Sequence, residues 1–166
     1  MAEIKLTRID FRLVHGQIVM KWCKAYPVDK IVVIDDIVAG DEFMSQIYAS
    51  AAPVGIRVKC YSKEKALRLW NKNRFGEDSK VMILFKDLDS CCELVKAGMD
   101  LKEVQLGGIP QTDERKAVKR AIFLGEKEMD CVHQLHAMGV NVTAQLIPED
   151  SVFDYDEIVK AYRSAT

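Results

Sequence analysis

Arg12 and His15 stand three positions apart in the stretch Arg8-Ile9-Asp10-Phe11-Arg12-Leu13-Val14-His15-Gly16-Gln17, with Asp10 just ahead of them. A neutral imidazole nitrogen is a good nucleophile near neutral pH. A phosphoryl group carried on it is reactive enough to be handed on. That chemistry needs an exposed ring, donors for the phosphoryl oxygens and a group that fixes the imidazole. Arg12 brings a guanidinium fork that matches two oxygens at once. Gly16 and Gln17 open a helical pattern, where free amides and the helix dipole favour an anion. Gly16 also lets backbone approach closely. Asp10 is placed to hold the imidazole tautomer or to orient Arg12. The plain alternative is a helix-entry histidine beside a local Asp10–Arg12 ion pair.

The surrounding pattern says how such a loop would be held. Ile4–Ile9 alternates and reads as a strand, and a helix follows from about Gly16 to Ala25, with Ile18, Val19, Trp22 and Cys23 on one face. Lys30–Ile34 and Val81–Phe85 are nearly all apolar, as central parallel strands buried on both faces must be. Ile56–Tyr61, Leu101–Leu106 and Val140–Leu146 complete the strands expected in the sheet, and Ala117–Leu124 is read as one further strand. Helices are expected from Asp41 to about Ala52, with Phe43, Met44, Ile47 and Tyr48 inward, and after Ser62. More start at Asp87 or Ser90 and run over Glu126–Met138 and Tyr155–Ala161. Asn71–Ser79 reads as a polar loop. The result is one α/β domain over residues 1–166, an open, mostly parallel sheet with helices on both faces. In such a sheet the strand carboxyl ends share one edge. That edge brings together Asp10–His15, Asp35-Asp36, Lys86-Asp87 and Gly107-Gly108. Asp36 is expected to cap a loop and bond amides near His15, which makes it a phosphoryl-site candidate with Gly16 and Gln17.

Composition narrows the function classes. The 166 residues are 49% hydrophobic and 30% charged, with a formal net charge of -1. That balance suits a globular domain and argues against a nucleic-acid binder, which would show a basic excess. No apolar run approaches a membrane span and no signal-peptide pattern is seen, so a cytoplasmic protein is expected. Cys23, Cys60, Cys91, Cys92 and Cys131 lack metal spacing and read as reduced, mostly buried thiols. No cofactor or metal is expected.

The ten-residue stretch from Arg8 to Gln17 resembles the N-terminal signature of the enzyme IIB components of the mannose/fructose/sorbose family, part of the bacterial phosphoenolpyruvate-dependent sugar phosphotransferase system. The likeness continues through Val33–Ala39, Ala51–Gly55, Gly107-Gly108, Gly139-Val140 and Pro148, and so covers essentially the whole chain. The resemblance implies a protein-N(π)-phosphohistidine–sugar phosphotransferase. His15 would take a phosphoryl group from a IIA partner and pass it to a sugar carried by membrane IIC and IID components. Mannose, fructose, sorbose and amino sugars are all compatible with it. Asp10 and Arg12 match residues flanking that family's active histidine. Phe11 stands where relatives usually carry an acid, and Asp35 and Ile37 also depart from the pattern.

Other groupings are weaker. Asp35-Asp36 with Lys86 has the composition of a receiver-type acidic pocket but lacks a lone acceptor aspartate. His133 and His136 are three apart on a helix with no third ligand, and read as solvated. Arg115, Lys116, Lys119 and Arg120 read as a solvated basic face. Cys60 ends a strand, but no anion loop surrounds it. The leading expectation is a phosphoryl carrier whose docking face has an apolar centre, with Phe11, Leu13 and Val14 contributing where exposed. The rival is a binding or regulatory module that docks to the same partners without passing phosphate to a sugar.

Overall fold

Six parallel strands form the core of the computed structural model, which describes residues 1–166. They are β1 (Glu3–Ile9), β2 (Lys30–Ile34), β3 (Arg57–Tyr61), β4 (Lys80–Phe85), β5 (Glu103–Leu106) and β8 (Asn141–Ala144), in the order β3-β2-β4-β1-β5-β8. The three central ends are in register, because Ile9 and Ile34 both pair with Phe85. Each central strand is apolar on both faces because each face is covered. Val32, Ile34, Val81, Ile83 and Phe85 meet one set of helices, while Ile31, Val33, Met82 and Leu84 meet the other. Full burial of one such side chain contributes about 1.5–3 kcal/mol.

The larger layer holds α4 (Lys63–Asn73), α5 (Leu88–Lys96), α6 (Glu126–Ala137) and α7 (Tyr155–Ser164). The smaller layer holds α1, a π-helical Ile18–Trp22 running into α-helical Cys23–Ala25. It also holds α2 (Asp36–Ala39) and α3 (Glu42–Ser50). The chain therefore leaves β1 toward one face and β4 toward the other. A crevice opens where neighbouring strands send their connections in opposite directions. It is lined by Phe11, Lys86, Asp87, Ile109, Pro110 and the start of α6.

Several local expectations are corrected. Ala117–Leu124 is a hairpin of β6 (Lys116–Lys119) and β7 (Ile122–Leu124), set apart from the main sheet. Ala121 turns it with a φ of 62°. Asn71–Asn73 finishes α4, and the loop beyond it is not simply polar. Arg74 and Phe75 adopt positive φ, which drives Phe75 into the core against Tyr61 and Trp70. On α3 only Met44 and Tyr48 face inward, while Phe43 and Ile47 are exposed. Leu13 and Val14 are buried, so neither belongs to an exposed face.

Candidate active site

Asp10 opens the loop that follows β1, and its surroundings account for the loop's shape. Its amide donates to Phe85 O at 2.9 Å, its carbonyl accepts from Leu13 N, and Phe11 N donates to Gly108 O. The segment is thereby stitched across the ends of β4 and β5. Asp10 Oδ1 accepts from Arg12 N at 3.2 Å, the Asx-type turn that this residue favours. Leu13 then takes a left-handed φ of 57°. For a residue with a Cβ that costs about 1–2 kcal/mol. Its side chain is buried with Val14, Ile18, Trp22 and Val38, which offsets the strain.

His15 projects from this turn with its side chain 14% exposed. Nε2 lies 3.1 Å from Asp10 Oδ2, and Gln17 N–H donates to Nδ1 at 3.4 Å. Both contacts agree on the tautomer. Ionised Asp10 accepts from Nε2–H, and a lone pair remains on Nδ1. Asp10 is buried, which raises its pKa. The hydrogen bond and charge of His15, the charge of Arg8 and the Arg12 amide outweigh that and leave it below the usual aspartate value.

Arg12 Nε lies 3.4 Å from Asp10 Oδ1, and Arg12 Nη2 donates to Gln17 Oε1 at 3.1 Å. The guanidinium is thus aimed while its side chain stays 37% exposed. Nη1 is free to take an anion's oxygens. Gln17 therefore contributes twice, its side chain on Arg12 and its main-chain N–H beside Nδ1. Gly16 has open space where a Cβ would stand.

Asp36 does not join this loop. The neighbouring Asp35 turns inward and caps α2 by accepting from Val38 N at 3.0 Å. Asp36 faces outward, where Oδ1 accepts from Lys63 N at 2.8 Å and Oδ2 pairs with Lys63 Nζ. The expected bonds from Asp36 to amides near His15 are absent because its carboxylate is engaged at the start of α4. Asp87 caps α5 through Ser90 N. The acidic pair with Lys86 is therefore two separate helix starts, not a receiver-like pocket.

The remaining groupings are structural. His133 Nδ1 lies 2.7 Å from Tyr155 Oη, and His136 stacks on that ring at 3.6 Å, so both pack α6 on α7. Arg115 pairs with Glu128, Lys116 reaches the carbonyls of Tyr162 and Ala165, and Lys119 lies over Phe153. These residues tie the hairpin down and do not form one basic face. Burial pushes the half-buried Cys60 thiol up, away from the nucleophilic thiolate.

Arg8, Gln105 and Gln145 support the site beyond what the sequence indicates, and Gly107-Gly108, expected at this edge, leave room for Arg8 and the loop. Arg8 is fully buried beneath the loop, with Nη2 at 3.4 Å from Asp10 Oδ2. A Cβ on Gly107 would strike the Arg8 guanidinium, and one on Gly108 would stand 3.2 Å from Asp10 Oδ1. A charged residue on a central strand beside a double glycine that directly follows the next strand is the signal the sequence carries.

Comparison with known proteins adds to this geometry. The family model described as "PTS system sorbose subfamily IIB component" matches residues 4–166. The fructose-specific EIIB component of Bacillus subtilis is 29% identical over 160 residues, which cover 96% of this chain and 98% of that protein. The mannose-specific EIIAB component of Escherichia coli is 29% identical over 147 residues, 89% of this chain but 45% of that protein. The crystal structure of manxB from Thermoanaerobacter tengcongensis superposes with a TM-score of 0.89 at 36% identity, covering 98% of each chain. The IIBSor domain of the Klebsiella pneumoniae sorbose permease superposes with a TM-score of 0.87 at 28% identity, covering 95% of this chain and 97% of that one.

Proposed function

Because the chain belongs to the sorbose subfamily of phosphotransferase-system IIB components, we propose that it carries a phosphoryl group on His15, at Nδ1, between a IIA donor and a sugar held by membrane IIC and IID components. The family itself implies phosphotransfer in sugar transport. The observation that supports this site is the pair of contacts on the imidazole, Nε2 on Asp10 and Nδ1 facing the Gln17 amide.

Transfer in is a displacement at phosphorus. The Nδ1 lone pair forms a bond to phosphorus while the bond to the donor's imidazole nitrogen breaks, and that nitrogen keeps the electron pair. Asp10 balances the positive charge that grows on the His15 ring, and Arg12 and the first amides of α1 take the equatorial oxygens. Transfer out repeats the step toward a sugar hydroxyl. The P–N bond breaks with its electron pair returning to Nδ1, the hydroxyl oxygen bonds to phosphorus, and the hydroxyl proton passes to solvent as the ester forms. Fixed positive charge supplies the field, so the proposal includes no metal or cofactor. No helix is long and apolar enough to cross a membrane, so the proposed membrane step falls to the IIC and IID partners. The relatives are named for fructose, sorbose, mannose and N-acetylgalactosamine, and the choice among such sugars is assigned to those same partners.

Intact-mass measurement tests the proposal. The protein is incubated with phosphoenolpyruvate, the general phosphotransfer proteins and a IIA partner. An acid-labile phosphoryl adduct is expected on the wild type and none on His15→Ala. A wild type without an adduct, or an undiminished adduct on His15→Ala, would exclude the carrier role. Labelling without onward transfer to any membrane partner would favour a regulatory module.

A further inference from the structure

We infer that Arg8 is a positioning residue for His15, acting through Asp10: it fixes the carboxylate oxygen to which the imidazole is tied. This rests on His15 being the phosphoryl acceptor. Arg8 sits on β1, between the two strands that pair with it, and none of it reaches solvent. It therefore touches neither a partner protein nor an incoming phosphoryl group. Its influence on the reaction runs through its contacts.

Those contacts hold both terminal nitrogens of the guanidinium. Nη1 donates to Gln105 Oε1 and to Gln145 O, and Nη2 donates to Leu146 O at 2.8 Å and to Asp10 Oδ2 at 3.4 Å. The cation also lies 4.6 Å from the centre of the Trp22 ring. Gln145 is fixed in turn by Gln105 and by the carbonyls of Pro148 and Asp150. Gly107 leaves the space that the guanidinium fills. Trp22 arrives there on the π-helical turn of α1, a widened turn of a kind often found at functional sites.

The arrangement is costly, and that cost points to a purpose. Burial pulls the Arg8 pKa down to about 10, despite the nearby Asp10 charge. Arg8 Nε and Trp22 Nε1 are both buried without a hydrogen-bond partner. An apolar side chain on this strand would avoid the buried charge and the unpartnered Nε. What only the guanidinium provides is a fixed cation on Asp10 Oδ2, the same oxygen that faces His15 Nε2. Oδ1 is already held by the Arg12 amide. The charged groups around the carboxylate are Arg8 from below, Arg12 beside it and His15 above. Without Arg8 the carboxylate is free to rotate toward Arg12 and release the ring.

Nitrogen-15 NMR of the imidazoles in Arg8→Met tests this without any transfer reaction. The chain has three histidines, so His15 can be assigned. The wild type is expected to show His15 as a single Nε2–H tautomer, and folded Arg8→Met a mixture of both. Phosphoryl acceptance from phosphoramidate, a small donor that needs no docking face, is expected to slow by about 10- to 100-fold. Phosphoryl acceptance from IIA should slow alike, with unchanged KM. In an Asp10→Asn background, Arg8→Met should add no further loss. An unchanged tautomer in folded Arg8→Met, or losses that multiply in the double variant, would overturn the inference. If Arg8→Met does not fold, Gly107→Ala displaces the guanidinium without removing it, and the same tautomer mixing is expected. Should neither variant fold, the Arg8 Nη signals of the wild type serve instead. They must shift when His15→Ala removes the ring from Asp10, and unchanged signals would overturn the inference. A wild type that accepts phosphate from neither donor would instead refute the carrier role, while the tautomer result would still decide the part played by Arg8.

Discussion

Asp10 and Asp35 occupy the same place on two strands, yet only one is built for chemistry. Each follows the last residue of its strand, and those last residues, Ile9 and Ile34, both pair with Phe85. Each is buried, and each uses one oxygen to cap the turn that follows, on Arg12 N or on Val38 N. They differ in the second oxygen. Asp10 Oδ2 lies between a buried guanidinium and an imidazole. No such pair stands beside Asp35, whose loop closes directly into α2. A strand-end aspartate is thus a turn former by default. It becomes part of a reactive site only when a cation below and a nucleophile above share its free oxygen.

The sharpest way to break the comparison is to change both aspartates alike. Asp10→Asn leaves Arg8 buried without its carboxylate. Loss of one partner from such a pair costs about 3–5 kcal/mol. Phosphoryl acceptance should fall by about a hundredfold or more, because the amide can present its NH₂ to Nε2 and favour the wrong tautomer. Asp35→Asn keeps a capping oxygen and should cost under about 1 kcal/mol, with acceptance unchanged. Thermal unfolding and phosphorylation rates read both. Equal effects would mean that Asp10 too is only a cap. Next in size is Arg12→Ala, which should slow acceptance by about a hundredfold while stability barely moves, since its side chain is partly exposed. Parallel loss of stability and transfer would assign Arg12 to the fold instead.

Acid separates the two loops more gently. Asp10 holds its proton less readily when folded, because the His15 bond and charge, Arg8 and the Arg12 amide outweigh burial. Between the depressed folded value and the ordinary one of about 3.9, the unfolded chain binds more protons. The stabilisation is therefore complete above about pH 4 and is lost as the pH falls through the folded value. Tm measured against pH should fall more steeply in the wild type than in Asp10→Asn. Matching slopes would remove Asp10 from the acid-sensitive groups.

The sequence made the loop legible and left its support hidden. Period-two and all-apolar runs marked all six sheet strands, because burial of one face forces alternation and burial of both faces forces an apolar run. Asp10, Arg12, His15 and Gln17 came together as expected, since a turn of so few residues cannot separate them. Asp36 went elsewhere because two adjacent aspartates point to opposite sides, and only geometry says which turns in. Arg8 was passed over because a cation in a strand reads as solvent-facing until Gly107 and the carbonyls of Gln145 and Leu146 are seen around it. The hairpin was read as one strand because Ala121 adopts the turning φ without a glycine to announce it.

The smallest expected effect concerns the outer rim of the two loops. Leu13 and Val14 are buried, so the apolar contribution of the Asp10 loop to a docking face falls to Phe11, which is 38% exposed. Its ring lies beside Gly108 and 5.8 Å from the Arg12 guanidinium, at the mouth of the crevice. The Asp35 loop offers Ile37, which is 77% exposed. With about 5 Å between strands, the two loops start roughly 10 Å apart. A donor that must reach Nδ1 covers a patch on the order of 800 Å². Such a patch centred on His15 takes in Phe11 near its middle and Ile37 toward its edge. Contacts at the centre of an interface carry more energy than those at the rim. Phe11→Ala should therefore raise the donor KM by about threefold to tenfold with kcat unchanged, and Ile37→Ala by less. Because phosphoramidate needs no docking face, both variants should accept phosphate from it at the wild-type rate. A larger KM effect from Ile37→Ala would move the centre of docking from the Asp10 loop to the Asp35 loop. The division between a reactive loop and a merely structural one would then hold for chemistry but not for recognition.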